Sequence, residues 1–251
     1  MITLVLLLIN DGWMPLQGSE RHWSEHPTVQ MVSERIVATI FDGYAIVECH
    51  FVFRNNGKDC TLRMAFPDDA SHSQEGNDGG FDWFKSWVDG KWADTAIMTV
   101  EEEKARFGIR RWRTKTVAFR AHQSRTVRDR YKVRNSTQFL VSSRVQGFDY
   151  VLQTGSTWKG PIGKSEIRIT FDEKAFGPNL RFVASGRFPS LSDLRAYERT
   201  WRAHKNWVSC SGPSEFTASG RTVRFSRTNW KPKEGEDIQL TYGWRPSGSG
   251  N

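Results

Sequence analysis

Apolar and polar side chains alternate from residue 44 to residue 54, and this alternation constrains the fold more than any other feature of the chain. The apolar set is Ala45, Val47, Cys49, Phe51 and Phe53, whereas Glu48, His50 and Arg54 lie between or after them. Successive side chains of a strand point to opposite faces, so a period of two predicts a β-strand with one buried face. A slip of one residue would bury the polar set, and the register is therefore well specified.

Short alternating runs separated by Gly, Asn, Asp and Pro continue along the 251 residues. The predicted strands of the first half are 33–41, 44–54, 61–66, 81–88, 92–100, 110–120 and 125–134. Residues 101–107 are the one segment with a helical pattern over more than a turn, with a weaker candidate at 190–201. Eleven tryptophans and sixteen phenylalanines supply the apolar area that a core needs.

These patterns predict an all-β fold, an antiparallel β-sandwich of two packed immunoglobulin-like halves with short helical connections. The predicted N-terminal half covers residues 30–140 and the C-terminal half covers 145–245. Residues 1–29 are interpreted as a degenerate or truncated signal segment with a linker, and 246–251 as a flexible tail. The apolar start, residues 1–9, is far shorter than the roughly 20 residues that span a bilayer, so no membrane span is predicted.

Turn residues predict three strand pairings, of which one is a hairpin of 215–218 with 222–225 around Ser219-Gly220. Asn56-Gly57 favours a hairpin between strands 44–54 and 61–66, and residues 121–124 join 110–120 to 125–134. In such a hairpin Cys60 lies opposite Arg54, and Cys49 and Cys60 project from opposite faces. With three cysteines in all, the sequence favours free thiols over a disulfide framework.

Residues 150–171 read as strand, turn and strand. Ile167, Ile169 and Phe171 alternate with polar residues, and three glycines and a proline mark the turn before them. The favoured interpretation is a corner that links two sheets or domains, with Trp158 as a packing anchor. The alternative is a ligand-binding loop that uses Trp158 and Lys159.

Four cations follow one face of the strand at 125–134: Arg128, Arg130, Lys132 and Arg134. Alternate residues of a strand stand about 7 Å apart on the same face. Two interpretations stay open, a solvated outer face balanced by nearby acids, or a binding site for a polyanion, which could be nucleic acid, an acidic polysaccharide or a lipid surface. The formal net charge of +8 favours contact with polyanions. The segment lacks the spaced exposed aromatics of a base-stacking groove, which argues against nucleic acid.

Three further patterns have a structural and a functional interpretation. Phe81, Trp83 and Trp87 are expected to pack in the core, with a carbohydrate platform as the alternative. The acidic residues of the 67–82 region, Asp68, Asp69, Asp78 and Asp82, could bind calcium but match no EF-hand. His22 and His26 have the spacing of two metal ligands on a helix, without a third ligand nearby. No metal and no cofactor are predicted.

No catalytic motif is present in the sequence. The chain has no GxSxG elbow, no HExxH, no Walker motif and no Rossmann glycine pattern. A non-enzymatic protein is therefore predicted. The alternative is a hydrolase with an unrecognised site near Trp158 and Asp149.

Four segments together resemble bacterial exported proteins that carry domain of unknown function 4424. They are Ala65-Phe66-Pro67, Phe81-Asp82 with Val88-Asp89-Gly90-Lys91, Tyr150 with Thr154-Gly155 and Trp158-Lys159-Gly160-Pro161-Ile162-Gly163, and Asn229-Trp230-Lys231-Pro232. The resemblance covers most of residues 30–243 and implies an extracytoplasmic β-rich domain, periplasmic or secreted, without an established activity. Family members carry a cysteine directly after the residue equivalent to Tyr150. Val151 stands here instead, so the resemblance does not extend to a disulfide.

The expected function is that of a structural or interaction module of the bacterial cell envelope. Its expected partner is an envelope protein or an anionic polymer. A polyanion- or glycan-binding module that uses the cationic strand face is the alternative within the same class.

Overall fold

The structure is a computed structural model, and it describes residues 12–14, 25–68, 80–101, 109–140, 143–185 and 194–243. Most of the predicted signal segment and linker, the tail and nearly all of the helix predicted at 101–107 lie outside the described residues, as do His22, Asp69 and Asp78. Where residues 1–29 are described, the linker prediction is wrong, because Gly12–Met14 form a strand paired with residues 63–65 and a second strand begins at Val29.

Strands dominate the described residues, and the alternating patterns explain where they form. In chain order they are β1 Gly12–Met14, β2 Val29–Ile40, β3 Tyr44–Asn55, β4 Cys60–Pro67, β5 Trp83–Val88, β6 Lys91–Trp92, β7 Ala96–Thr99, β8 Arg111–Phe119, β9 Ser124–Arg134, β10 Ser136–Leu140, β11 Ser143–Tyr150, β12 Ile162–Phe171, β13 Arg181–Ala184, β14 Trp207–Ser211, β15 Thr217–Ser219, β16 Thr222–Trp230 and β17 Ile238–Gly243. The helices are α1 Glu173–Phe176, α2 Leu194–Ala203 and a 3-10 helix at Gln153–Thr157. The all-β prediction is confirmed.

An eight-stranded sheet forms one layer of the molecule, in the order β15-β16-β12-β2-β3-β9-β5-β6. All its pairings are antiparallel except that of β12 with β2. That parallel pair joins a strand of the predicted C-terminal half to one of the predicted N-terminal half. Strands from both sides of the 140–145 boundary therefore share one sheet.

Two smaller sheets pack on one side of this layer. Their orders are β1-β4-β8-β7 and β10-β11-β17-β14-β13. Aromatic contacts join the layers, with Phe66 of β4 5.3 Å from Tyr131 of β9 and Tyr242 of β17 5.1 Å from Phe171 of β12. A continuous core of buried apolar residues lies between them. The side of the eight-stranded sheet that points away from the two smaller sheets is called the outer face below.

Of the three predicted strand pairings, the hairpin at Ser219-Gly220 is confirmed as β15 with β16, and the other two are wrong. β8 pairs with β4 and β7, whereas β9 pairs with β3 and β5. β3 pairs with β2 and β9, whereas β4 pairs with β1 and β8 in a different sheet. The turn at Asn56-Gly57 thus carries the chain across the core rather than into a hairpin, and the Asn55 side chain secures it by donating to the carbonyls of Lys58 and Arg120. Alternation specifies which side chains of each strand are buried, but not which strand lies beside it. Two strands can bury the same side chains either as neighbours in one sheet or as members of two sheets that face each other.

The cysteines follow from this topology. Cys60 lies opposite Phe119 rather than Arg54, and Cys49 lies between Ile36 and Asp129 on the neighbouring strands. Cys49, Cys60 and Cys210 are all in the thiol form, and the Sγ atom of Cys49 lies 3.4 Å from the Tyr150 hydroxyl. Burial raises the pKa of the Cys210 thiol to about 12, which keeps it protonated and unreactive.

Residues 150–171 form a corner between two sheets, as the sequence predicts. β11 ends in the five-stranded sheet and β12 begins in the eight-stranded one. Between them Asp237 accepts hydrogen bonds from the backbone N–H groups of Leu152 (2.6 Å) and Gln153 (3.2 Å) at the start of the 3-10 helix. Trp158 is 1% exposed and packs 4.6 Å from the ring of Phe53.

Candidate functional site

The cationic row predicted on β9 lies on the outer face. Val127, Asp129, Tyr131 and Val133 point into the core, so the residues between them point away from it. The side chains of Arg128, Arg130 and Arg134 are 43%, 45% and 70% exposed, and that of Lys132 is 31% exposed. No described element packs over this row.

Strand β5 places two tryptophans beside the row, which corrects the prediction that they belong to the core. Phe84 and Ser86 take the inner positions of β5, so Trp83 and Trp87 point outward. Phe81 precedes the strand and packs inward, 4.3 Å from the ring of Tyr131. The three aromatics therefore do not share a face. The apolar Phe84 and Val88 at the intervening positions are the sequence signal for this arrangement.

Aromatic rings and cations interleave on the outer face. The Arg128 guanidinium lies 4.8 Å from the centre of the Trp87 ring, and that of Arg130 lies 5.8 Å from Trp83. Lys132 stands 4.4 Å from the ring of Tyr44 on β3. A cation over an aromatic face is attracted by the ring quadrupole. These contacts hold the long side chains upright and restrict their rotamers.

Two carboxylates connect members of the row. Glu48 of β3 accepts from Arg128 through both oxygens (3.1 and 3.0 Å), lies 3.7 Å from Arg130 and contacts His50 at 2.6 Å. The Arg128 hydrogen bonds hold the pKa of Glu48 below its usual value, against a smaller opposing effect of burial. Because Glu48 stays ionised, it orients the guanidinium groups.

Asp82 has the same role at the other end of the row. Its oxygens lie 3.1 Å from Lys132 and 3.5 Å from Arg134. The four cations of the row thus share two carboxylates and keep an excess of positive charge. Nearby acids neutralise part of the positive charge of this face, as one of the two sequence interpretations expected. The remaining positive charge is available to an anion.

The positive charge extends across the sheet. Register places Arg168 of β12 directly opposite Arg224 of β16, with Val37 of β2 on the other side of Arg168. Both arginines are exposed, and neither makes an ion pair with a residue that the structure describes. The outer face also carries Arg35, Lys85 and Lys164, together with the carboxylate of Glu166.

Trp158 and Lys159 do not join this surface. Trp158 lies in the core, on the other side of the sheet from the row. The backbone N–H of Lys159 donates to the carbonyl of Val29, and Glu25 holds the next N–H, that of Gly160, at 2.6 Å. The structure therefore does not bring together the two groups of site residues that the sequence suggested.

The hydrolase alternative gains no geometric support. Asp149 lies on β11, paired with Gln239, and Trp158 is buried. A shallow depression of about 520 Å³ lies elsewhere, at the Cys60 end of β4 and the Phe119 end of β8, and neither Trp158 nor Asp149 lines it.

The described residues of the two metal alternatives have other partners. Asp68 accepts from the Arg113 guanidinium at 2.6 Å and from the Phe81 N–H at 2.8 Å, while Asp82 contacts the row. The Nδ1 atom of His26 accepts from the N–H groups of Thr28 and Val29. Among the residues with described positions, no group of three His, Cys, Asp or Glu side chains is arranged to hold a metal ion.

Within the described parts of the chain, no helix has the length and apolar content needed to cross a bilayer. No family model and no curated protein sequence matches the chain at a significant level.

The fold is nevertheless similar to solved structures. A Legionella pneumophila protein to which nutrient binding is ascribed aligns with a TM-score of 0.58 at 17% identity, over 94% of this chain and 70% of its own. Yeast LTA4 hydrolase aligns with a TM-score of 0.42 at 10% identity, over 90% of this chain and 30% of its own. An M1 zinc metallopeptidase from Deinococcus radiodurans aligns with a TM-score of 0.35 at 9% identity, over 88% of this chain and 40% of its own. At these identities the first likeness shows the β-rich fold alone, and the two peptidase alignments are too weak to support an argument.

Proposed function

We propose that this protein is a non-enzymatic binding module of the bacterial cell envelope whose outer face holds an anionic polymer. One observation carries the proposal, the open ladder of Arg128, Arg130 and Lys132 interleaved with Trp83 and Trp87. The exported location comes from the family resemblance, which implies an extracytoplasmic domain.

The ladder favours binding over a purely solvating role because its side chains are positioned before a ligand arrives. Glu48 and Asp82 fix the directions of the cations, and the aromatic rings restrict their rotamers. A preorganised side chain loses less conformational entropy when it binds. The carboxylates of Glu48 and Asp82 also reduce the repulsion between neighbouring cations of the row, so the surface is stable without its ligand.

The site is an extended surface rather than an enclosed cleft. Small-molecule sites are concave and enclose most of their ligand. An exposed strand row about 20 Å long suits a chain-like ligand that contacts several cations at once. Nutrient binding, ascribed to the Legionella protein of similar fold, is compatible with a binding module but does not identify its ligand.

The experiment compares retention of the full chain on dextran sulfate and on neutral dextran, which share a sugar backbone and differ in charge. We expect retention on dextran sulfate alone, with elution at moderate salt because exposed charge contacts are screened. The triple variant Arg128→Glu/Arg130→Glu/Lys132→Glu is expected to elute without retention.

The matched control is Arg195→Glu/Lys205→Glu/Lys233→Glu, which changes the net charge equally at exposed positions outside the outer face. It is expected to keep most of the retention. Equal loss in both variants would mean that net charge alone binds the polymer, and unchanged retention of the outer-face variant would overturn the proposal. A thermal melt of each variant establishes that it is folded.

A further inference from the structure

The geometry points to an acidic polysaccharide as the ligand, lying across the strands from the cationic row on β9 to Arg168 and Arg224. This inference rests on the proposed function and adds to it a second contact region, a direction and a chemical class. The second region is the arginine pair on β12 and β16, which the sequence interpretation did not include.

Arg168 and Arg224 form a like-charge pair that folding does not explain. They are directly opposite each other in adjacent antiparallel strands, and both project from the outer face. Like charges opposite each other on a sheet destabilise it. Neither guanidinium makes an ion pair with a described residue. In the row, by contrast, every cation makes an ion pair with either Glu48 or Asp82. An anionic group placed between the two arginines would remove the repulsion.

Register gives the path from the row to this pair. Arg130 is opposite Glu48, Glu48 is opposite Val37, and Val37 is opposite Arg168. Three strand spacings separate Arg130 from Arg168, a distance of about 14 Å. The path runs at right angles to the strands, so a polymer that contacts both regions crosses β3 and β2.

Between the two regions the path crosses Glu48 and Val37, with the exposed Arg35 of β2 to one side and uncharged residues to the other. Val37 and Thr39 of β2 and Ile46 of β3 are half-buried. An acidic polysaccharide matches this sequence of surfaces, because its carboxylate or sulfate groups are separated by sugar rings with apolar C–H faces. The carboxylate of Glu48 can accept hydrogen bonds from sugar hydroxyl groups.

Single-stranded nucleic acid fits less well. It carries a phosphate on every nucleotide and gains most of its affinity from cations that follow the backbone and from free aromatic faces. Here Glu48, Asp82 and Glu166 stand among the cations, and arginines lie over Trp83 and Trp87. The carboxylates repel the closely spaced phosphates of a nucleic acid, and the covered aromatic faces are not free for base stacking. Neither feature opposes a polysaccharide, which has many hydroxyl groups and fewer charges.

The test measures the affinity of the full chain for oligogalacturonides of increasing length, which carry one carboxylate per sugar, through the change in tryptophan fluorescence. We expect affinity to rise with length until the oligomer reaches both regions. In the variant Arg168→Gln/Arg224→Gln, short oligomers should bind as tightly as to the wild type, whereas long oligomers should bind about tenfold more weakly. Arg195→Gln/Lys205→Gln is the control and should behave as the wild type.

Several outcomes distinguish the two proposals. If the row variant loses all binding while Arg168→Gln/Arg224→Gln binds long oligomers normally, the crossing path is wrong and the proposed function stands. If oligothymidylate of equal charge binds as tightly as the oligogalacturonide, the assignment to a polysaccharide is wrong. Thermal stability provides a separate readout, because removing a like-charge pair should leave the melting temperature equal or higher.

Discussion

At the scale of single residues, His26 shows how burial fixes a protonation state. The Nδ1 atom accepts backbone N–H groups from Thr28 at 3.1 Å and Val29 at 2.8 Å, so the ring must be neutral. Its ring meets that of Trp13 edge to face at 5.0 Å. Burial lowers the pKa of His26 from 6.5 to about 4.

This pKa predicts an acid-sensitive contribution to stability. Between pH 6.5 and about 4 the unfolded chain binds a proton at His26 that the folded chain does not. The contribution is therefore complete above pH 6.5 and is lost as pH falls towards 4, by up to about 3 kcal/mol of unfolding free energy.

Urea denaturation at pH 7 and at pH 4.5 measures this contribution in the wild type and in His26→Asn, whose amide oxygen can still accept a backbone N–H. Carboxylates titrate in both proteins, so the difference isolates His26. We expect the wild type to lose more stability than the variant. Parallel losses would contradict a buried neutral histidine.

At the scale of elements, β2 and β12 meet at an irregular point. The register of β2 against β3 shifts between Met31 and Ser33, and the parallel ladder of β12 on β2 begins at Ser33. Gly163 lies beside this bulge, where a Cβ atom would come within 2.5 Å of the carbonyl oxygen of Val32. The contacting atom belongs to the backbone of β2, so it cannot move away from a new Cβ atom as the end of a flexible side chain could.

Gly163→Ala should therefore destabilise the protein by about 1–3 kcal/mol, because the new methyl group pushes the two strands apart. Gly243→Ala is the matched control, since its Cβ would meet nothing closer than 3.6 Å. The midpoints of chemical denaturation measure both. Equal midpoints would show that β2 moves without cost and that the close approach is not required.

At the scale of the whole molecule, one buried ion pair joins two layers. Lys115 of β8 contacts Asp129 of β9 at 2.7 Å, and their side chains are 3% and 0% exposed. Ser86 donates to the other oxygen of Asp129 at 2.6 Å. Because β8 and β9 belong to different sheets, the pair fixes how the four-stranded sheet sits on the eight-stranded one.

Breaking this pair should weaken the whole fold. Lys115→Met leaves the Asp129 carboxylate buried without its cation, and such a loss costs about 3–5 kcal/mol. The double variant Lys115→Met/Asp129→Asn should lose less than Lys115→Met, because it buries no charge and keeps an acceptor for Ser86. Thermal unfolding of both single variants and the double variant completes the cycle. A double variant as unstable as the sum of the single variants would refute the coupling.

Local pattern predicted most of the strands well. The alternation in 44–54 and 125–134 gave the inner and outer faces of β3 and β9, and the predicted bounds agree to within a residue or two. The four cations of the row were placed on one face for the same reason. The prediction that Trp83 and Trp87 lie in the core is wrong, because Phe84, Ser86 and Val88 take the inner positions of β5 and the residues between them point outward.

The sequence by itself determined most of the strands, the inner and outer faces of β3 and β9 and the absence of recognisable catalytic motifs, because these depend on neighbouring residues. Only the tertiary structure decided which strands distant in sequence pair, and it placed β3 beside β9 and β12 beside β2. Register between distant strands depends on packing across the core, which a local pattern does not encode. For that reason the opposition of Arg168 and Arg224, and their alignment with Arg130 across the outer face, became visible only in the folded molecule.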